Sequence, residues 1–576
     1  MSISKNNSVY HPTGAFACYG GWVLDTQFIP NIGSSYLLAH GLGNPVADAS
    51  AKLDVPAAGS YRVWAYTKDW VANWKQGVAP GLFKLCVNGN QTPILGNQGK
   101  DWAWQDGGVF ELTKGGNTIA LCDLTGYEGR CAAVFATSEL DFVPPSDYKG
   151  FVGLREDLYE ESTEDLGSFD FAVAGGGIAG MCAAITAANR GVKVALIQDR
   201  YILGGNNSSE GRVWLGGETN FAPYEHLGDV TRSFEPEKHF HYGPENTAEI
   251  YEDEKRIEMI TSNPNISLFT GLSVWEAEVS NGVIKSVTCI DVATHQKKKL
   301  SANLFADCTG DATLGFLAGA DYEISNNGHM GMTNFWSVAD TGEETAFAPC
   351  PWAIDLSNSN FPGRVAEGAE PDHKKLGGWY WESGMEHHPI DMAEYARDTN
   401  FRAMYGAFDA LKNHGTVYRN FKLNHSSYIG GKRESRRLMG DVILTKSEVQ
   451  TLHEYEDGCV PTTWKVDVHY PNRSYYPSFH EGDAFITTAY YEQFPYTMYL
   501  VPYRCFYSRN VGNLYMAGRN TSVSHDALGT VRVMRTGGMM GEVVGRAAAI
   551  CKKHSCKPRD IYKAHLNELL NSLKSE

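Results

Sequence analysis

FDFAVAGGGIAGMCAAITAANRGVKVALIQD, residues 169–199, decides the fold. The apolar run Phe169 to Ala174 meets Gly175-x-Gly177-x-x-Gly180, a small-residue segment of helical character follows to Arg190, and a second apolar run, Val192 to Ile197, closes the unit. Strand, glycine turn, helix and strand in this order spell a nucleotide-binding βαβ unit. Gly175 allows the tight turn, Gly177 lets the backbone approach a pyrophosphate, and Gly180 lets helix and strand pack closely. Ile178 and Ala179 open the helix, so their N–H groups and the partial positive charge of the helix end face the phosphates.

The usual partner of such a loop is an acid at the end of the second strand, where it takes the ribose hydroxyls. Gln198 occupies that position and Asp199 follows it. An amide can still bond a hydroxyl, so both residues are candidates for an altered ribose contact.

The 576 residues suffice for several cores, with 43% hydrophobic and 20% charged residues, globular values. A formal net charge of -17 excludes a nucleic-acid or anionic-membrane surface, which needs a basic face. No apolar stretch approaches a membrane span, so no membrane partner is expected. Lys297-Lys298-Lys299 reads as a solvated turn. Twelve cysteines stand singly with no CxxC, and His387-His388 has no third ligand at a recognisable spacing, so no metal is expected. Cys551 and Cys556 are the one close pair and lie far from the glycine loop in sequence. The N-terminus has no apolar signal region, which predicts a cytoplasmic location, or a periplasmic or secreted one where a signal peptide has been removed.

Residues 1–143 alternate short β-like runs with Gly, Pro and Asn turns, the pattern of an all-β sandwich. Trp22, Trp64, Trp70, Trp74, Trp102 and Trp104 crowd into it, either as a sugar-stacking face or as core and inter-domain contacts. Residues 144–167, opening on Pro144-Pro145 and rich in acids, read as a linker. The nucleotide domain occupies 168–320, a substrate or cap region 321–500, and 501–576 returns to the nucleotide domain. Within it, Leu203-Gly204-Gly205-Asn206 suits backbone wrapping of a cofactor. Ser267 to Asp307 reads as an inserted β-meander with an Asn281-Gly282 hairpin, running into Cys308-Thr-Gly310-Asp311. Gly430 to Arg437 is dense in guanidinium groups. Near the end, Ala517-Gly518-Arg519 delivers a strand to a loop and a helix.

These motifs, in this order, resemble the FAD-dependent oxidoreductase family of the glutathione-reductase-like, two-dinucleotide-binding superfamily, over about 400 residues from Ser168 to Ala549. Residues 1–143 resemble the galactose-binding-type jelly rolls found on carbohydrate-active enzymes. The resemblance implies an α/β Rossmann-like FAD-binding domain with an inserted β-meander and a mixed α+β substrate region, preceded by an all-β sandwich. It implies FAD as cofactor: pyrophosphate at the first glycine loop, adenosine ribose at Gln198 or Asp199, further contacts at Gly204, Gly205, Asn206, Gly310 and Asp311, and the flavin end at Gly518 and Arg519. Gln198 departs from the glutamate common in the superfamily.

The expected function is FAD-dependent removal of hydride from a hydroxyl-bearing carbon of a sugar or glycoside, a small molecule or a glycan. His525 is the expected base, Arg532 and Arg436 the substrate or charge-stabilising groups, and Trp381 and Glu382 the sugar-pocket lining. The alternatives are redox-neutral glycoside cleavage by transient oxidation and elimination, and a carbohydrate-binding protein with a vestigial flavin domain. Oligomeric state stays open.

Overall fold

The computed structural model describes residues 3–159, 162–326, 328–364, 372–462, 464–472, 474, 483–492 and 498–575. The opening motif folds as a strand, Glu164–Ala174, a helix, Ile178–Ala188, and a strand, Val194–Gln198. Val194–Gln198 runs parallel to Glu164–Ala174 on one side, and Ile266–Thr270 extends the sheet beyond it, again parallel. On the other side lies Lys297–Asp307, parallel as well. Its last residues pair with Leu514–Met516, so the C-terminal part of the chain completes the sheet that the glycine motif begins.

The meander is Leu272–Ser280 hairpinned to Val283–Asp291, which pairs antiparallel with the first half of Lys297–Asp307. The three lysines are therefore not a turn. They lie in a strand, and each carries its own acid: Lys297 with Glu156 at 3.2 Å, Lys298 with Glu164 at 3.4 Å, Lys299 with Glu278 at 2.9 Å. Sequence reads only the run of charge, whereas register decides which acid faces each ammonium.

Helix Met534–His554 crosses Ile178–Ala188 at close range. A Cβ at Gly541 would stand 2.1 Å from the Ala179 carbonyl oxygen, and one at Gly545 2.7 Å from that of Ala183, which is why this face carries no side chains. Cys551 and Cys556 are free thiols 3.9 Å apart behind it.

In the N-terminal part, one four-stranded sheet holds Ser8–Pro12, Ala133–Thr137, Gly59–Thr67 and Ala103–Leu112, and a second holds Ala49–Leu53, Asn117–Asp123, Phe83–Val87 and Asn90–Gln91. Their alternating apolar residues, among them Val63, Val134, Leu85 and Ile119, share one core. The tryptophans do not form an open face. Trp64 and Trp104 pack with Met332, Ala393 and Ala396, and Trp70 with Trp352 and Phe401, all from the later chain. The segment expected as a linker contains a helix, Tyr148–Leu158, capped by the Asp147 carboxylate. Its Phe151 ring stacks on Tyr66 with centroids 3.9 Å apart. Glu160 and Glu161 of that segment lie outside the described residues.

The N-terminal part is clasped to the 21-residue helix Ala393–Asn413 by buried charges. Arg130 reaches Asp398 through both terminal nitrogens at 3.0 and 3.1 Å and Glu394 at 2.7 Å, while Arg397 reaches back to Asp25 at 2.8 Å. Burial at such density is tolerable only because each charge meets its opposite.

Candidate active site and cofactor pocket

A cavity of about 540 Å³ opens at the C-terminal ends of the parallel strands. That is where loops of an α/β sheet converge and where its ligands sit. The three glycines of the motif have distinct constraints. Gly175 has φ +101°, and a Cβ there would come within 2.3 Å of the Cys308 carbonyl. Gly180, off the pocket wall, would meet the Gly175 carbonyl at 1.8 Å, so it serves helix–strand packing. A Cβ at Gly177 would find no atom nearer than 3.8 Å, because it would project into the cradle. Gly205, at φ +64°, faces Gly177 across that cradle, and Gly204, Asn206, Ile178 and Ala179 continue the wall. The open space before the start of helix Ile178–Ala188 fits the pyrophosphate of FAD.

Gln198 and Asp199 part company. Gln198 is 3% exposed; its Oε1 accepts the Gly176 N–H at 2.7 Å and its Nε2 donates to the Ile202 carbonyl at 3.3 Å, so the amide holds the glycine loop. Asp199 lines the pocket with no side-chain hydrogen bond to another of the described residues, and burial raises its carboxyl above the usual range. Of the two candidates, Asp199 is the one whose side chain is not engaged in holding the loop. Arg519 and Lys432 both grip Asp311, at 2.7 and 2.5 Å, and against the opposing effect of burial these two cations hold its carboxyl well below the ordinary range. Gly310, at φ +78°, lies under the Arg519 guanidinium, and Gly518, at φ +100°, faces Ala179.

The far end of the pocket departs from sequence expectation. His525 is not on the wall. It opens the helix His525–Val531, and its Nδ1 bonds Glu434 at 2.8 Å, a contact that raises its pKa. Arg436 lies over the Phe316 ring, 3.9 Å from its centroid, and also misses the pocket. Trp381 is 2% exposed and packs edge-on to Trp336 in the core. Glu382 is buried behind the wall, in contact with His469. Arg532 does line the cavity, beside Arg433, Trp379, Asp467, His469 and Tyr491.

His469 is the group that sequence reasoning missed. Its Nδ1 meets Glu382 Oε2 at 2.5 Å; Glu382 also accepts the Gly331 N–H at 2.7 Å and the Thr487 hydroxyl at 2.9 Å. Burial works against the Glu382 carboxylate, but Arg433 at 3.3 Å and His469 hold its pKa well below the usual range. The other imidazole nitrogen, Nε2, stands 3.2 Å from Asp467 and 3.4 Å from Arg532. The strand Val466–Pro471 places Asp467 and His469 on one face, because side chains alternate with period two. That D-x-H spacing was visible in the sequence; its arrival at the pocket was not.

The model of the FAD dependent oxidoreductase family matches residues 170–570. No curated protein matches. Among solved structures, E. coli quinol fumarate reductase FrdA is similar at 13% identity over 70% of this chain and 74% of its own, with a TM-score of 0.32. The myxobacterial chondrochloren halogenase CndH is similar at 11% identity over 69% and 78%, also at 0.32. The glycerol-3-phosphate dehydrogenase of Bacillus halodurans, in complex with FAD, is matched over 30% of this chain and 40% of that one, at 13% identity and a TM-score of 0.21. With the family model covering more than two thirds of the chain, from the first strand of the glycine motif to the C-terminal helices, this protein belongs to the FAD-dependent oxidoreductases and uses FAD as its cofactor.

Proposed function

We propose that the enzyme removes hydride from a hydroxyl-bearing carbon of a sugar or glycoside, with His469 taking the hydroxyl proton. FAD, when bound, supplies the hydride acceptor. We read its adenosine end at Asp199 and its flavin end towards Arg532 and His469, and we read the enclosing fold as Rossmann-type with an N-terminal β-sandwich. The observation that carries the reaction is the held imidazole on the pocket wall. Glu382 holds Nδ1, and Asp467 and Arg532 beside Nε2 fix the ring, so Nε2 is the nitrogen through which we read the proton exchange with substrate. Asp467 then stabilises the imidazolium formed. Tryptophan and tyrosine rings around the same end, Trp379 within 5.2 Å of the imidazole, supply flat apolar faces, while Arg433 and Arg532 supply donors for hydroxyls.

Anaerobic stopped-flow reduction of the flavin, with a panel of sugars, glycosides and uronates, tests this reading. His469→Ala should slow reduction by about a hundredfold or more while retaining FAD, the range for losing a general base. His525→Ala should stay within a few-fold of wild type. Equal rates for wild type and His469→Ala would remove His469 from the mechanism.

A further inference from the structure

The cavity is not walled by the nucleotide-binding part alone. Thr26, Gln27 and Pro30, from the N-terminal part, line it together with Ile197, Leu272 and Val274. Their loop is held on two sides. Gln27 donates through Nε2 to the Tyr428 carbonyl at 3.0 Å and accepts the Gly430 N–H through Oε1 at 2.7 Å. Asp25, just before it, accepts both the Gln27 N–H at 3.1 Å and Arg397 at 2.8 Å. On the other flank Ile29 packs on Ile290 and Val292 of the meander, whose Val292 N–H donates to Gly271, itself bonded to the Arg200 carbonyl. The loop therefore sits against the meander, which is itself bonded to the segment that follows Asp199.

Within it, Thr26 is 5% exposed and its Oγ1 has no hydrogen-bond partner among the described residues. A buried hydroxyl left unpaired is costly and rare in a folded protein. Every polar atom of the neighbouring Gln27 side chain, by contrast, is used within the protein. We propose that the loop Thr26–Pro30 is the adenosine wall of the FAD site, with Thr26 Oγ1 hydrogen-bonding the adenosine moiety. The N-terminal part is then a component of the cofactor site, not an appendage to it. This inference rests on the orientation of FAD given above.

The test is a binding titration of the full-length apoprotein with FAD, ADP and FMN, by flavin fluorescence and calorimetry, alongside thermal unfolding of the apoprotein. Thr26→Val should weaken FAD and ADP together by about five- to tenfold, the range for one lost hydrogen bond, while leaving FMN and the apoprotein Tm unchanged. Pro30→Glu, at an exposed edge of the same wall, should do likewise by placing a carboxylate beside the base, and it answers the question if Thr26→Val does not fold. FAD and ADP affinities unchanged in these variants would overturn the proposal. So would a loss shared by FMN, or a fall in apoprotein Tm that accounts for the loss. A wild-type protein that binds FMN but not ADP would instead overturn the orientation on which it rests.

Discussion

Gly177 is where a single side chain separates binding from folding. Its Cβ would project into open space, so Gly177→Val should fold with an apoprotein Tm near wild type yet fail to retain FAD, because the isopropyl group occupies the pyrophosphate cradle. The contrast is Gly180, where any side chain strikes the Gly175 carbonyl and the fold itself must give. Thermal unfolding of both apoproteins with an FAD titration distinguishes the two cases. On the proposed orientation of FAD, Asp199→Asn should weaken FAD, whereas a Gln198 substitution should act by loosening the loop that its amide closes.

At the scale of elements, the crossing of Ile178–Ala188 by Met534–His554 ties the glycine loop to the C-terminal part. Gly541→Val would force backbone apart at Ala179, and overpacking of this kind costs roughly 1–3 kcal/mol or more. We expect a lower midpoint in urea unfolding, accompanied by weaker FAD retention, since Ala179 lines the pocket. A midpoint shift without any change in FAD affinity would mean that the loop does not follow the helix.

Over the whole molecule, the N-terminal part and the rest share cores and buried ion pairs, so a fragment lacking residues 1–143 should aggregate or lose FAD; a soluble, yellow fragment would refute this. The clasp also has a pH signature. His40 bonds Glu128 through Nδ1 at 2.9 Å and the Ser426 carbonyl through Nε2 at 2.8 Å, the pattern of an imidazolium. Burial alone would lower its pKa, but Glu128 outweighs burial and raises it. The sign follows: the folded-state pKa exceeds the unfolded value near about 6.5, so the stabilisation is complete below that value and is lost as pH rises through the raised one. Relative to His40→Gln, wild type should lose its stability advantage over that window in urea titrations at stepped pH.

What sequence by itself determined is what spacing can carry: the βαβ unit with its glycine turn and the meander follow from period, turn residues and small-residue helices, all local, while the family rests on the resemblance of its motifs and on the family model that matches them. The D-x-H alternation that puts Asp467 and His469 on one face is equally local, though nothing in it names the pocket. Tertiary structure decided the rest, because a site is assembled by chain segments whose meeting no spacing encodes. Residues 382 and 469 become a carboxylate–imidazole pair only when two distant strands close on each other, and His525, although only seven residues beyond Gly518, is drawn to Glu434 instead. The same holds for the N-terminal tryptophans. Their composition fits a sugar-stacking face as well as core and inter-domain contacts, and the choice is made by the N-terminal core around Trp22 and by the apolar surface of the later chain around Trp64, Trp70 and Trp104, which no local pattern announces.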